Sequence, residues 1–249
     1  MLLAIDIGNS STKLGVFDNE TLLKRLIIPT IRSKSADEIY DSLQDEINGQ
    51  FSVVVISSVV PELNDSFREF GKKYFNQAPI FVNYTFDFGF KINYKPPESA
   101  GADRLVAAFA AREKYGKPCI ICDFGTATTI DAVNPQNEYL GGIIAPGINT
   151  LSEALFIKTS KLPRVEIRKP ATVIGNSTVG SIQSGIFYGY IGLTEGIISR
   201  MIDELGENPK VIATGGFANL IAENCDLIEI VDENLILEGL RLIYEKTKK

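Results

Sequence analysis

The stretch LLAIDIGNSSTKLGVF, residues 2–17, and the stretch IICDFGTATTIDAV, residues 120–133, are built alike. In each, an apolar run ends in an aspartate, followed by one residue, a glycine and a cluster of small hydroxylated residues, before a second apolar run. Such runs, bounded by a turn, read as a buried strand and its hairpin partner. Glycine lets the turn fold tightly, so that successive N–H groups and hydroxyls point at phosphate oxygens. The aspartate at the strand end is placed to hold a cation, directly or through water. The match continues through the polar cluster, DIGNSST against DFGTATT. The chain therefore reads as a duplicated supersecondary unit, two copies gripping one polyphosphate.

Working outward, residues 2–7, 13–18 and 22–28 read as strands, with FDNET turning the chain between the last two. Ser35 and Glu38 form a capping box, and Ile39, Leu43 and Ile47 follow at helical spacing. FSVVVISSVV reads as a buried strand. A helix from Pro61 then carries Leu63, Phe67, Phe70 and Tyr74 on one face, and PIFVNY reads as another strand. After the irregular NYKPPESAG comes the helix ADRLVAAFAAREKY, ended by Gly116. The pattern restarts at Pro118 and adds LGGIIAPGI, a long helix near 180–205, the strand KVIAT and a last helix from about 234. No Gly/Ser-rich linker intervenes. The best boundary lies at 115–118, giving an N-terminal α/β domain of residues 1–116 and a C-terminal one of 117–249.

Two further features stand out. VIATGGFANLI, residues 211–221, is a strand running into Gly215–Gly216 and a helix start, where paired glycines let a flat adenine or ribose approach the backbone. In the long helix, Gly185, Gly189, Gly192 and Gly196 fall within an arc of roughly 60°. Each mid-helix glycine costs about 1 kcal/mol relative to alanine, so the stripe calls for close approach of another backbone. That backbone is either a helix of the same chain or a second copy.

Composition prunes the chemistry. A chain of 249 residues, 45% hydrophobic and 22% charged, is globular and long enough for one large domain or two ordinary ones. No apolar stretch approaches the ~20 residues of a bilayer span. Asp6 interrupts the first apolar run and no basic region precedes it, so a signal peptide is not expected. A net charge of −6 argues against nucleic-acid or anionic-membrane partners. The expectation is a soluble, cytoplasmic protein. The chain has no histidine, which removes serine–histidine and cysteine–histidine catalysis and most zinc sites. Cys119 and Cys122 sit inside an apolar strand, so with Cys225 they read as buried, reduced and structural. Catalysis must rest on carboxylates, hydroxyls, lysine, arginine and bound ions.

Phosphate turn, second phosphate turn and adenosine motif, in that order, resemble the acetate and sugar kinase, heat-shock chaperone and actin superfamily. The resemblance implies an α/β protein of the duplicated ribonuclease H-like (actin-like ATPase) fold, two domains with a nucleotide cleft between them. Within that superfamily, DIGNSSTK, PESAGADR and DFGTAT, with ISSVVP, GGIIAPG and IGNSTVGSIQSG, resemble type III pantothenate kinase over almost the whole chain. One position departs: Ala107 stands where many members carry asparagine. The resemblance implies ATP-dependent phosphorylation of pantothenate to 4'-phosphopantothenate, the first step toward coenzyme A. It also implies magnesium with ATP, a monovalent cation (potassium or ammonium) and a homodimer. On matching positions, Asp6, Ile7, Gly8, Asn9, Ser10, Ser11, Thr12 and Lys13 would contact ATP, with Asp6 organising magnesium through water and Lys13 adding positive charge. Thr126 would also contact ATP, and Asp123 would hold the monovalent cation. Asp103 would be the catalytic base, and Tyr94, Gly101, Ala102, Asp103, Arg104 and Thr178 would touch pantothenate.

Each role has a plainer competitor. A carboxylate in the first turn of a helix, as Asp103 is, stabilises the macrodipole by ~0.3–1 kcal/mol without catalysis. Arg104 is either a surface ion pair or a two-pronged partner for the pantothenate carboxylate. Lys13 beside an exposed hairpin is solvated by default, and Tyr94 ahead of Pro96–Pro97 could simply pack. Two other functions stay open at this point. Another small-molecule kinase of the superfamily would keep the phosphate turns without PES and GADR. A non-catalytic regulator acting on DNA would need an appended basic helix-turn-helix.

Overall fold

In the computed structural model, which describes residues 1–47 and 49–248, the first copy of the turn joins β1 (Leu2–Ile7) to β2 (Ser11–Asp18). The chain continues through β3 (Thr21–Pro29), α1 (Ala36–Asp41), β4 (Val53–Ser58), α2 (Asn64–Phe75), β5 (Ile80–Phe81), β6 (Lys91–Ile92) and α3 (Ala102–Tyr115). The first five strands form a sheet in the order β3-β2-β1-β4-β5, with β1 antiparallel to β2 and parallel to β4. β1 is buried at all six positions, as befits a central strand covered on both faces. On one face Leu3, Ile5, Ile7, Leu14, Val54 and Ile56 close a core with Ile39, Phe67 and Phe70 of α1 and α2.

The second copy joins β7 (Cys119–Phe124) to β8 (Ala127–Val133). Then follow β9 (Glu138–Pro146), α4 (Ile148–Lys158), α5 (Thr178–Leu205), β10 (Lys210–Thr214), α6 (Ala218–Ala222), β11 (Ile230–Val231) and α7 (Leu235–Thr247). These strands lie in the order β11-β10-β7-β8-β9. β7, β8 and β9 are antiparallel neighbours, and β10 is parallel to both β7 and β11. Both copies thus run two hairpins and then two crossover strands parallel to the first. This repeated topology is the duplicated ribonuclease H-like fold.

The division between the halves needs correcting. Met1–Glu113 and the chain from Asn234 onward form one compact unit, and Lys114–Glu233 form the other. α7, expected in the C-terminal domain of 117–249, packs on β1, β2 and β4 of the first unit. Its buried face carries Leu235, Ile236, Leu237, Leu240 and Ile243. A Cβ on its Gly239 would stand 2.8 Å from Val106 Cγ1 of α3, so glycine lets the two helices close together.

Other elements are shorter than their patterns. α1 ends at Asp41 because the Leu43 N–H donates three residues back to the Tyr40 C=O (2.9 Å), tightening the chain into turns that still bury Leu43 and Ile47. PIFVNY contributes only Ile80–Phe81 as strand. Tyr74 packs partly buried against the core with Phe67 and Phe70, stacks on Tyr40 at 3.8 Å and donates to Asp37 (2.6 Å). α4 goes beyond the expected elements, although Ile148, Leu151 and Leu155 recur at i, i+3 and i+7; only Ile148 is buried there, and Leu155, Phe156 and Ile157 are exposed. Among the described residues no helix is long and apolar enough to cross a membrane.

Candidate active site

The first turn is framed by strand register. Ile7 pairs with Thr12 and Asp6 with Lys13, leaving Gly8–Ser11 as the turn, closed by the Gly8 N–H donating to the Ser11 C=O (3.1 Å). A Cβ on Gly8 would lie 2.9 Å from that carbonyl oxygen, so the turn requires glycine. Asp6 is 5% exposed, and its carboxylate lies 4.0 Å from Lys13 Nζ, a charge contact longer than a hydrogen bond. Asn9 and Ser10 are exposed, and Arg32 Nη2 donates to Asn9 Oδ1 (3.1 Å).

Two of the expected ATP contacts turn inward. The Ile7 side chain is buried in the core. Thr12 is also buried, and its hydroxyl donates to Thr30 Oγ1 (2.9 Å), whose own proton goes to the Gly8 C=O (2.7 Å). The Thr30 N–H donates in turn to the Ser10 C=O (3.0 Å). Thr30 therefore braces the turn from behind, a role that nothing local in the sequence marks.

At the start of α3, a Cβ on Gly101 would stand 2.5 Å from Asp103 Oδ1, and that oxygen accepts the Arg104 N–H (2.8 Å). Asp103 is half-buried in the first helical turn, next to a buried Ala102. Arg104 is 7% exposed, so its side chain is buried and not at the surface. Its guanidinium lies 5.3 Å from the centroid of the Tyr94 ring, with Nη1 3.5 Å from the Tyr94 hydroxyl. Ala107 is packed in the core, so the departure from asparagine is filled by a buried methyl. Farther along α3, Arg112 donates to the Phe88 C=O (2.8 Å) and the Gly89 C=O (3.0 Å) and lies over the rings of Phe90 and Phe109. These contacts tie α3 to the preceding loop.

In the second unit, Phe124 pairs with Thr128 and Asp123 with Thr129, leaving a turn of Gly125, Thr126 and Ala127. It is one residue shorter than the first, so DIGNSST and DFGTATT do not match residue for residue; Thr12 corresponds to Thr128. Thr128 is likewise buried, hydrogen-bonded to the Tyr190 hydroxyl of α5. Burial pushes the Tyr190 phenol up to about 12. Thr126 is exposed, and its C=O accepts the Gly147 N–H (3.0 Å) and the Thr150 hydroxyl (2.7 Å). A Cβ on Gly147 would collide with the Gly125 and Thr126 carbonyl oxygens.

The paired glycines divide their work. Gly215 has φ +94°, and a Cβ there would meet Asp123 Oδ1 at 2.5 Å and Phe124 backbone at 2.7 Å. Gly216 has open space where its Cβ would be, so it is the one with room for a flat ring. Thr178 is exposed at the first position of α5, behind the capping Ser177. It lies about 18 Å along the helix axis from Tyr190, at 1.5 Å per residue, so the structure does not cluster it with the turn. Among the described residues, and apart from the chain neighbours and the adjoining backbone of α5 itself, no atom lies within 4 Å of a Cβ built on Gly185, Gly189 or Gly192. Gly185, Gly189 and Gly192 are exposed, whereas a Cβ on Gly196 would meet Arg200 Nη1 of the same helix at 3.1 Å. Among the described residues the three cysteines form no disulfide and are buried, and burial raises the Cys122 thiol well above its usual range, which fits a structural role.

Sequence comparison agrees with these motifs. The model of a family described as type III pantothenate kinase matches residues 2–200. The type III pantothenate kinase of Citrifermentans bemidjiense is 49% identical over 254 residues, covering 100% of both chains. That of Halalkalibacterium halodurans is 46% identical over 252 residues, covering 99% of both. Among solved structures, the ethanolamine utilization protein EutJ of Carboxydothermus hydrogenoformans superposes with a TM-score of 0.57 at 13% identity, covering 97% of this chain and 89% of that one, a likeness of fold.

Proposed function

The chain belongs to the type III pantothenate kinase family, and we propose how its residues divide the work of phosphorylating pantothenate with ATP. The reaction moves the γ-phosphoryl group of ATP to the primary hydroxyl of pantothenate, giving 4'-phosphopantothenate, the first step of coenzyme A biosynthesis. Phosphoryl transfer passes through a loose transition state, so positioning and charge neutralisation supply most of the acceleration.

The observation that carries the assignment is the start of α3, where Asp103 and Arg104 are adjacent and unlike. Asp103 is half-buried in the first turn, and Arg104 is buried against Tyr94. Asp103 orients the acceptor hydroxyl and takes its proton late in the transfer, a contribution of ~10²–10⁴ in rate. With no histidine in the chain, a carboxylate is the natural base. Arg104 receives the pantothenate carboxylate, with Tyr94 holding the guanidinium plane. Gly101 and Ala102 shape the approach, and Thr178 offers the acceptor a hydroxyl.

The first turn takes the phosphates through its backbone N–H groups, Asn9, Ser10, Ser11 and Lys13, while Ile7 and Thr12 support it. The donor set suits magnesium: Asp6 supplies a hard oxygen, and no group of three candidate ligands is present among the described residues. Such a site fits a metal held by one carboxylate, through water, and by the nucleotide itself. When bound, magnesium offsets phosphate charge. Asp123, beside Thr126 in the second turn, offers oxygen donors for a monovalent cation, which when bound spreads the negative charge that develops. Buried cysteines in the thiol form suit a reducing compartment, the cytoplasm. Homodimerisation is supported by the open glycine face of α5 and the exposed Ile157, Val173 and Ile174.

A coupled ADP-release assay tests the reading. ADP release that requires pantothenate and magnesium and rises when potassium replaces sodium is expected. No pantothenate-dependent release would overturn the residue roles together, and equal rates in sodium and potassium would remove the role of Asp123 alone.

A further inference from the structure

Ser57 of β4 stands opposite Asp6 of β1, which stands opposite Lys13 of β2. Opposed residues project from the same face of a sheet, so an ammonium, a carboxylate and a hydroxyl form one row across three strands. The row lies at the carboxyl ends of the parallel strands β1 and β4, where open α/β sheets receive their ligands. Ser57 is 0% exposed, and its hydroxyl has no hydrogen-bond partner among the described residues. The adjacent Ser58 hydroxyl, by contrast, donates to the Val60 C=O (3.4 Å). An orphaned buried hydroxyl costs about 1–3 kcal/mol. The rest of β4 is buried valine and isoleucine up to this point, so an apolar side chain at 57 would have avoided that cost.

The second copy supplies an independent observation. There Thr214 of β10 stands opposite Asp123 of β7, and Thr214 is buried too. In both copies the parallel strand beside the turn sets a buried hydroxyl next to the turn aspartate. The copies differ on the hairpin side, where Lys13 in one corresponds to Thr129 in the other.

We propose that Ser57 is a positioning residue for Asp6, linked to its carboxylate through a bridging water. Neighbouring strands lie about 4.8 Å apart, so two short opposed side chains that do not touch leave the spacing one water spans. The link holds the Asp6 carboxylate in the orientation that serves the metal nucleotide. This inference rests on the reading that Asp6 serves magnesium-ATP.

The test is calorimetric titration of ATP at graded magnesium, without pantothenate, alongside thermal unfolding of the ligand-free protein. For Ser57→Ala, ATP binding in magnesium is expected to weaken about five- to twenty-fold, the scale of one hydrogen bond to a charged group. Magnesium-free ATP binding should not change, and the melting temperature should move little, because the deleted hydroxyl makes no direct protein hydrogen bond. Ser57→Thr keeps a hydroxyl and should retain the wild-type magnesium response. Asp6→Asn should lose it. If Asp6→Asn loses the response while Ser57→Ala keeps it, the role of Ser57 is refuted and that of Asp6 stands. If Asp6→Asn keeps the response, the reading of Asp6 itself fails. Equal weakening by alanine and threonine, or a clear fall in melting temperature for Ser57→Ala, assigns Ser57 to packing and overturns the proposal.

Discussion

Lys13 Nζ lies 4.0 Å from the Asp6 carboxylate, across a residue-for-residue pair of β1 and β2. The lysine side chain is 19% exposed and the aspartate side chain 7%, so the pair is only partly screened by solvent. Anion and cation sit at the base of one turn, one suited to a metal and the other to a phosphate oxygen. Lys13→Met keeps the aliphatic stem and removes the charge. A loss of about 1.5–3 kcal/mol, the range for a hydrogen bond to a charged group, should raise the ATP dissociation constant roughly 10- to 150-fold. Equilibrium ATP binding checks this, and an unchanged constant would leave Lys13 as a neighbour of Asp6 only.

Asp103→Asn preserves the size of the side chain and an acceptor oxygen for the Arg104 N–H, so α3 should start as before. It cannot take a proton. A fall in kcat of roughly 10²–10⁴ is expected with little change in ATP affinity. Single-turnover kinetics on the purified variant give the answer; near-normal turnover would mean that Asp103 only complements the helix dipole.

Local chemistry made the two turns legible. Strand, aspartate, glycine and hydroxyls are contiguous, and both turns formed at the residues that the spacing marked. What braces them lies far away in the chain. Thr30 reaches the first turn across 22 residues, and Tyr190 reaches Thr128 of the second across 62. No periodicity carries such pairings. The single-residue difference between the turns was also hidden, because only strand register shows that Thr12 answers to Thr128. α7 illustrates the same limit: its pattern announces an apolar face, but not that the face belongs on β1, β2 and β4. The acceptor motif was half legible. Asp103 and Arg104 could be named from GADR, whereas the burial of Arg104 against Tyr94 depends on folding the intervening loop.

Tyr190 ties stability to alkaline pH. Its phenol titrates near 12 in the folded chain, chiefly because burial disfavours the phenolate, against about 10 when unfolded. Above pH 10 the unfolded chain sheds a proton that the folded chain keeps, so stability falls as pH rises from about 10 to about 12. Two units correspond to roughly 2–3 kcal/mol across that window. Tyr190→Phe should remove this part of the alkaline loss. At neutral pH it should cost about 1–3 kcal/mol, because Thr128 keeps a buried hydroxyl with its partner gone. Urea unfolding of both proteins at pH 7 and pH 10.5 separates the two effects; a variant with the wild-type alkaline slope would rule out Tyr190 as the titrating group.

The glycine face of α5 gives the sharpest test of assembly. Ile182, Ile186, Tyr190 and Ile198 face the core of the second unit, whereas Gly185, Gly189 and Gly192 are exposed, and among the described residues only the adjoining backbone of α5 comes within 4 Å of an added Cβ. A leucine at 189 or 192 therefore fits the single chain without a clash and relieves a mid-helix glycine, which should favour the helix by somewhat under 1 kcal/mol. Any loss must arise where another backbone was meant to approach. Gly189→Leu and Gly192→Leu should keep the far-ultraviolet circular dichroism of the wild type and shift a dimer to monomer in light scattering. The KM for pantothenate should rise, since the same helix begins at Thr178. A monomeric, fully active wild type would refute the dimer, and a leucine variant that stays dimeric with a normal KM would move the seam off this face.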